Sequence, residues 1–400
     1  MLESISKHLL CITRFLLGGQ GKRGRMDPRK NRVSKTKRIN QERKLDRNLA
    51  SDDGSLSAYP LHGQRSLQKK IKEDVPACSM RAMRHQFQEA LVDLIKHNFP
   101  RASILKSNTY SNLAYPLSGK YVRVIFNSGA SQWHAIAAGP HESQANIDGL
   151  LSHGLLWREY VRERRPTKPV KLILIAPEGK ALVLGSRLAW ISGAGRQILL
   201  MEMDLAQSSL RYVELSDSGN LDTALTRVHP TRTLPEGFER QSFRKSAERL
   251  LEEVLLEDIS AIDPVLNGRF IYPQVPAFLA GDRGMIDILS VTKQGRLAIL
   301  ELKVSEDIEM PMQGLDYWLR VRWHQERGEF QKNGYFPGLE LSLYPPLLYF
   351  VGPQFRYHDS FPKISKYILS TVPICQVGIN ENWKEGIMVL KKKYLNQSSF

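Results

Sequence analysis

The run Leu297-Ala-Ile-Leu-Glu-Leu-Lys-Val304 has the composition of a buried strand, yet it carries charge at two inner positions. Side chains alternate between faces along a strand, so Glu301 and Lys303 share one face with Ile299. Leu300, Leu302 and Val304 take the other face and point into a core. Upstream, Gly284-Met-Ile-Asp-Ile-Leu-Ser-Val291 reads as a second strand, and Thr292-Lys-Gln-Gly295 is a turn signal. Together they predict a hairpin. Asp287 repeats the oddity in the partner strand, between Ile286 and Ile288. Burying such groups is costly unless they are paired or bind something. The fold must therefore bring two carboxylates and a lysine together where packing alone would place Val or Ile. That set suits a hard cation such as Mg²⁺ (or Mn²⁺), with Asp287, Glu301 and the Leu302 carbonyl as oxygen ligands. Lys303 can orient and help deprotonate a water, or stabilise charge on a phosphate.

Asp287…Glu301-Leu302-Lys303 resembles the signature of the PD-(D/E)xK nuclease superfamily. A bare acid-x-Lys triplet is weak, since Glu42-Arg-Lys44 matches it too. Longer stretches add to the likeness. The order Glu248-Arg-Leu-Leu-Glu252, Ile262-Asp-Pro264, Gly284-Met-Ile-Asp287, Glu301-Leu-Lys303 is similar to the nuclease domain of the NucS-like mismatch endonucleases. Gln313-Gly-Leu-Asp-Tyr317 looks like the QxxxY motif of the RecB-type nucleases, on a helix that Pro311 opens. The resemblance covers Ser242–His324, about a fifth of the chain.

The resemblance implies a restriction-endonuclease-like mixed sheet flanked by helices, acting as a Mg-dependent deoxyribonuclease in DNA repair or genome defence. It also implies a carboxylate from the first helix beside the metal. Phe243, Ala247, Leu250, Leu251, Val254 and Leu255 form that helix's apolar stripe. At 100° per residue Glu248 falls at the stripe's edge and Glu252 farther round the polar face, so Glu248 is the first choice and Glu252 the fallback. Gln313 and Tyr317 are one turn apart, with Arg320 and His324 on the same side, and by resemblance they border the site and contact DNA. Trp318 reads as a core residue.

Three functional readings follow. The first is an active DNA endonuclease. The second is a DNA-binding protein of the same fold without catalysis. The third is a scaffold in which Asp287, Glu301 and Lys303 are a structural ion cluster, weakly stabilising at best, which leaves Gln313 and Tyr317 unexplained.

The rest of the chain supplies context. Its 400 residues suffice for two domains. The net charge of +16 favours a polyanionic partner. Residues 1–75 hold 18 Lys/Arg against 8 Asp/Glu, a surplus of 10, so most of the charge belongs to the tail. Residues 1–78 read as a disordered basic arm that can grip phosphates or merely solubilise. Leu9–Leu17 is apolar but short and broken by Arg14, which argues against a membrane span, and no small-residue cleavage site is evident after it, which argues against a signal peptide. Met26 opens a second plausible start, with residues 1–25 as a mis-assigned extension. Cys11, Cys78 and Cys375 are scattered, with no CxxC pair, and fit a reducing cytoplasm.

Residues 80–235 read as a separate α/β domain. Its expected elements are a helix over Met83–His97, strands at Tyr121–Phe126 and Trp133–Ala138, and a helix over Gln144–Arg164. Strands at Val170–Ala176, Ala181–Trp190 and Ile198–Met203 follow. The order loosely echoes the nuclease fold, which admits a degenerate, inactive repeat. His134 and His153 read as satisfied polar residues. Thr231–Phe238 is a linker, and residues 240–400 form the nuclease domain, with further strands at Leu347–Val351, Ile374–Ile379 and Gly386–Leu390. No GxxxxGK[ST] loop is present, so ATP-driven translocation is not expected. A homodimer would supply two sites for cutting both strands.

Overall fold

Parallel neighbours in a sheet cannot be joined by a tight turn; they need a crossover, usually a helix. That rule organises both halves of the computed structural model. It describes residues 77–109, 119–164, 169–194, 197–215, 247–279 and 282–395. The expectations for residues 1–76 and for the linker Thr231–Phe238 lie outside these.

The first half starts with α1 (Ala77–Asn98) and the antiparallel strands β1 (Ser103–Asn108), β2 (Val122–Ser128) and β3 (Ser131–Ala137). Helices α2 (Gln144–Asp148) and α3 (Leu150–Glu163) cross over to β4 (Val170–Pro177), parallel to β3. Helix α4 (Leu182–Leu188) crosses to β5 (Ile198–Asp204), again parallel, and β6 (Ser209–Tyr212) turns back antiparallel. The strand order is β1-β2-β3-β4-β5-β6.

The second half repeats this plan. Helix α5 (Ala247–Glu257) precedes the antiparallel strands β7 (Leu266–Leu279), β8 (Asp282–Thr292) and β9 (Leu297–Leu302). Helices α6 (Met310–Glu326) and α7 (Glu329–Lys332) lead to β10 (Leu347–Pro353), parallel to β9. Helix α8 (Phe361–Ser365) leads to β11 (Ile374–Ile379), parallel to β10, and β12 (Val389–Tyr394) closes antiparallel. The order β7-β8-β9-β10-β11-β12 and the sense of every pairing match the first sheet.

The inner strands are buried on both faces. Leu172 and Leu174 of β4 face one core, while Ile173 and Ile175 face another that includes Phe87, Leu91 and Ile95 of α1. Leu297 and Ile299 of β9 share the first core, while Leu300 and Leu302 pack with Leu251 and Leu255 of α5. The shared core holds Leu155 and Leu200 of the first half and Leu315 and Phe350 of the second, so the halves meet through their crossover helices. Arg187 of α4 grips Asp316 of α6 through Nε (2.8 Å) and Nη2 (2.5 Å), and Trp190 meets Trp318 edge-on at 5.0 Å. The two α/β regions expected as separate domains thus keep separate sheets and separate outer cores, and share the core between them.

Several expectations change. Ala181–Trp190 is not a strand but contains α4; a short apolar run is ambiguous by period, and the parallel β4–β5 pair demands a helix between them. The last strand runs over Val389–Tyr394 rather than Gly386–Leu390. β1, β6 and β7 were not expected; β7 contains Pro273 and Pro276, which are tolerated because it is an edge strand. Among the described residues, no helix is long and apolar enough to cross a membrane.

Candidate active site

The β8–β9 ladder pairs Val291 with Leu297 through Ile288 with Leu300, and there it stops. The next pair in register would be Asp287 and Glu301. Instead the Asp287 carboxylate accepts the Leu302 backbone N–H at 2.8 Å, taking the place of a strand partner. The Lys303 N–H donates to the Val351 carbonyl at 3.0 Å, so odd-numbered β9 residues bond toward β10. Leu302 therefore turns its backbone groups toward β8, into the notch where the strands part.

Glu301 is fully buried at this notch. Its Oε1 accepts from Lys303 Nζ at 2.7 Å, while its Oε2 is buried without a hydrogen-bond partner. Burial, then the neighbouring Asp287, push the Glu301 carboxyl up to about 8. Burial likewise raises Asp287. Burial pulls the Lys303 ammonium down, but Glu301 and Asp287 outweigh it and hold it above the usual lysine range. A lysine so held is a donor and a positive charge, not a proton acceptor.

Helix α5 contributes Glu252, which the helical-wheel reading placed farther from the core than Glu248. The structure reverses the order: Glu252 is buried and Glu248 half-exposed. The helix settles on Leu251 and Leu255, with Leu250 and Val254 only partly buried, and that rotation carries Glu252 inward. Burial and the Asp287 charge raise Glu252 to about 7, and Glu248 also acts on Asp287 electrostatically.

Gln274, opposite Asp287 on β7, was missed from sequence. Its amide donates to Glu252 and its side chain also bonds Asp287. Its φ of +49° is a left-handed conformation in mid-strand, costing on the order of 1–3 kcal/mol and typical of functional sites. Pro273 and Pro276, on either side of Gln274-Val275, were the available signal that β7 is irregular there.

On α6, Gln313 Nε2 donates to the Tyr317 hydroxyl at 2.9 Å. Burial, then Glu301, raise the Tyr317 phenol to about 12. Arg320 lies under the Tyr317 ring at 5.9 Å and His324 pairs with Glu329 at 2.5 Å; both are buried. The face expected to meet DNA thus points largely inward as a floor beside the notch, with Gln313 its accessible member. Trp318 is a core residue, donating to the Pro346 carbonyl. Asp263 takes a structural position, accepting from Tyr349 (2.9 Å) and Lys392. His134 is buried and bonded to Gln132, and burial lowers it to about 4.

Among the described residues, no three His, Cys, Asp or Glu side chains already converge as a metal cage. Mg²⁺ does not need one, since it keeps several waters and binds through one or two carboxylates. Burial holds Asp287 and Glu301 toward their protonated forms, and a dication at the partnerless Glu301 Oε2 would favour the charged ones. The residues fit a hard cation. Comparison with protein-family models, curated proteins and solved structures finds no match to this chain.

Proposed function

We propose that this chain is a metal-dependent nuclease of the restriction-endonuclease-like fold that hydrolyses DNA phosphodiesters at the β8–β9 notch. The observation that carries the reading is Glu301, a fully buried carboxylate with one oxygen on Lys303 and the other unpartnered, set against Asp287 where the ladder ends. Asp287, Glu301 and the Leu302 carbonyl would hold Mg²⁺ or Mn²⁺. A bound dication lowers the pKa of water and neutralises charge on the phosphate. Lys303 donates to an attacking water or a phosphoryl oxygen and stabilises the negative charge that builds there. Gln274 fixes Glu252 and Asp287 relative to each other. Gln313 orients the strand at the wall of the notch, held by the buried Tyr317, with Arg320 supporting Tyr317 from beneath. The surplus of positive charge supports DNA as the partner.

The test is cleavage of labelled single-stranded, duplex, mismatched and flapped DNA with Mg²⁺, Mn²⁺ or EDTA, beside Lys303→Ala and Lys303→Met. Metal-dependent cutting that both variants lack is expected. DNA binding without cutting, unchanged in the variants, would instead leave a non-catalytic DNA-binding protein.

A further inference from the structure

The two halves correspond residue by residue, not only in strand order. In the second, the Lys303 N–H bonds the Val351 carbonyl, and Val351 pairs with Leu302. In the first, the Ala138 N–H bonds the Ile175 carbonyl, and Ile175 pairs with Ala137. Ala138 thus stands at the place of Lys303 and Ile136 at that of Glu301. Arg123, paired with Ile136, stands at the place of Asp287. The crossover helices agree. A Cβ on Gly154 of α3 would meet Leu174 and Leu172, and one on Gly314 of α6 would meet Phe350 and Leu348. Those partners occupy the same register positions on β4 and β10. Counting from the two glycines, His153 and Trp157 stand at Gln313 and Tyr317.

At the places of Asp287, Glu301, Lys303, Gln313 and Tyr317 the first half thus carries Arg123, Ile136, Ala138, His153 and Trp157, with no carboxylate and no lysine among them; only the amide of Gln274 has a like counterpart, Asn108, which pairs with Arg123. Ile136 and Ala138 offer no ligand or donor, and Arg123 places a permanent positive charge where a dication would sit. Its strands are also closed there: Arg123 pairs with Ile136 and Val122 with Ala137, past the point where the β8–β9 ladder parts.

The halves also meet as two copies would. Ile191 and Ile368, each three residues beyond the corresponding helix α4 or α8, form an antiparallel bridge. It is flanked by Ser192 N–H to the Tyr367 carbonyl (2.7 Å) and Leu369 N–H to the Trp190 carbonyl (3.0 Å). Glu159 of α3 binds Lys366 and Tyr367 just after α8, while Asp316 of α6 binds Arg187 of α4. Each crossover helix reaches across to the opposite half's second crossover.

We propose that the chain is a dimer folded onto itself with a single working centre, so that one molecule cuts one strand of duplex DNA and leaves a nick. This rests on the nuclease reading. The face through which such lobes pair is already covered internally, so no second chain is needed to complete the body.

The test is a time course on supercoiled plasmid with Mg²⁺ or Mn²⁺, with wild type and Lys303→Met. Accumulation of open circles, with linear DNA arising only from later second nicks, is expected, and Lys303→Met should lose all cutting. Linear product formed directly, without an open-circle intermediate, would overturn the proposal, as would residual cutting by Lys303→Met. Sedimentation of the full chain, free and on a short duplex, gives a readout independent of cleavage. A 45.6 kDa species bound one per duplex supports the self-contained body, and twice that mass overturns it. If no metal yields cutting, the nuclease reading and the single-strand outcome fall together, while the mass still decides whether the first half takes a partner's place.

Discussion

Asp316→Ala should destabilise the whole molecule, although Asp316 lies outside the notch. Arg187 and Asp316 form a two-pronged ion pair between the halves, their side chains only 10% and 8% exposed. Arg187 also donates to the Asp148 carbonyl at 3.0 Å. Removing the carboxylate strands a guanidinium that cannot shed its proton in a dry core, a loss of about 3–5 kcal/mol. At roughly 2–4 °C per kcal/mol for a large domain, the melting temperature should fall by about 6–20 °C. Arg187→Met should cost a similar amount by orphaning Asp316. The double variant Arg187→Met/Asp316→Leu should recover most of the loss, because two apolar groups of similar volume need no mutual neutralisation. Urea unfolding of the four proteins, followed by near-ultraviolet circular dichroism, closes the cycle. Single-variant losses below about 1 kcal/mol, in the range of exposed pairs, would refute the claim that the halves share a dry interface.

Gly352→Ala should leave the fold in place but slow DNA cleavage by about 100-fold, since a Cβ there runs into the Lys303 carbonyl oxygen and misplacing a catalytic group by about 1 Å has that effect; single-turnover kinetics check it. Gly314→Ala should cost about 1–3 kcal/mol in urea unfolding, because its Cβ would lie 2.7 Å from Cζ of Phe350. Without metal, stability should decline as pH rises from about 4.5 to about 8, because Glu301 is raised in the folded state and the native protein binds the extra proton in that window. Glu301→Gln should reduce that decline, chiefly above about pH 7 where Glu252 no longer contributes, as measured by urea unfolding in EDTA across the same pH range.

Much of the second sheet could be read from sequence because its anomalies are local. Asp287, Glu301 and Lys303 break an apolar pattern of period two, and that pattern fixes which face each one takes. The i, i+4 spacing of Gln313 and Tyr317 likewise fixed their contact. What escaped depended on tertiary placement. Glu252 outranks Glu248 because α5 rolls onto Leu251 and Leu255, a rotation a helical wheel drawn from Phe243 does not capture. Arg320 and His324 share the face of Tyr317 as expected, but that face rests on the sheet instead of open solvent. The Gln274 bridge needs a left-handed residue inside a strand, which no propensity favours. The correspondence of the halves was visible only as a loose order of elements, since Arg123, Ile136 and Ala138 share no chemistry with their counterparts. The glycines at 154 and 314 are its faint trace in the sequence, each allowing a helix to lie close on a strand.

The bridge between Ile191 and Ile368 joins two parts of one polypeptide, and this changes how the assembly responds to dilution. Two separate lobes meeting through the same contacts would come apart as concentration fell. Lobes on one polypeptide see each other at an effective concentration set by their tether, whatever the number of molecules in the vessel. Specific activity per molecule should therefore hold constant down to trace protein, and a rare molecule in a large volume would be as fully assembled as an abundant one.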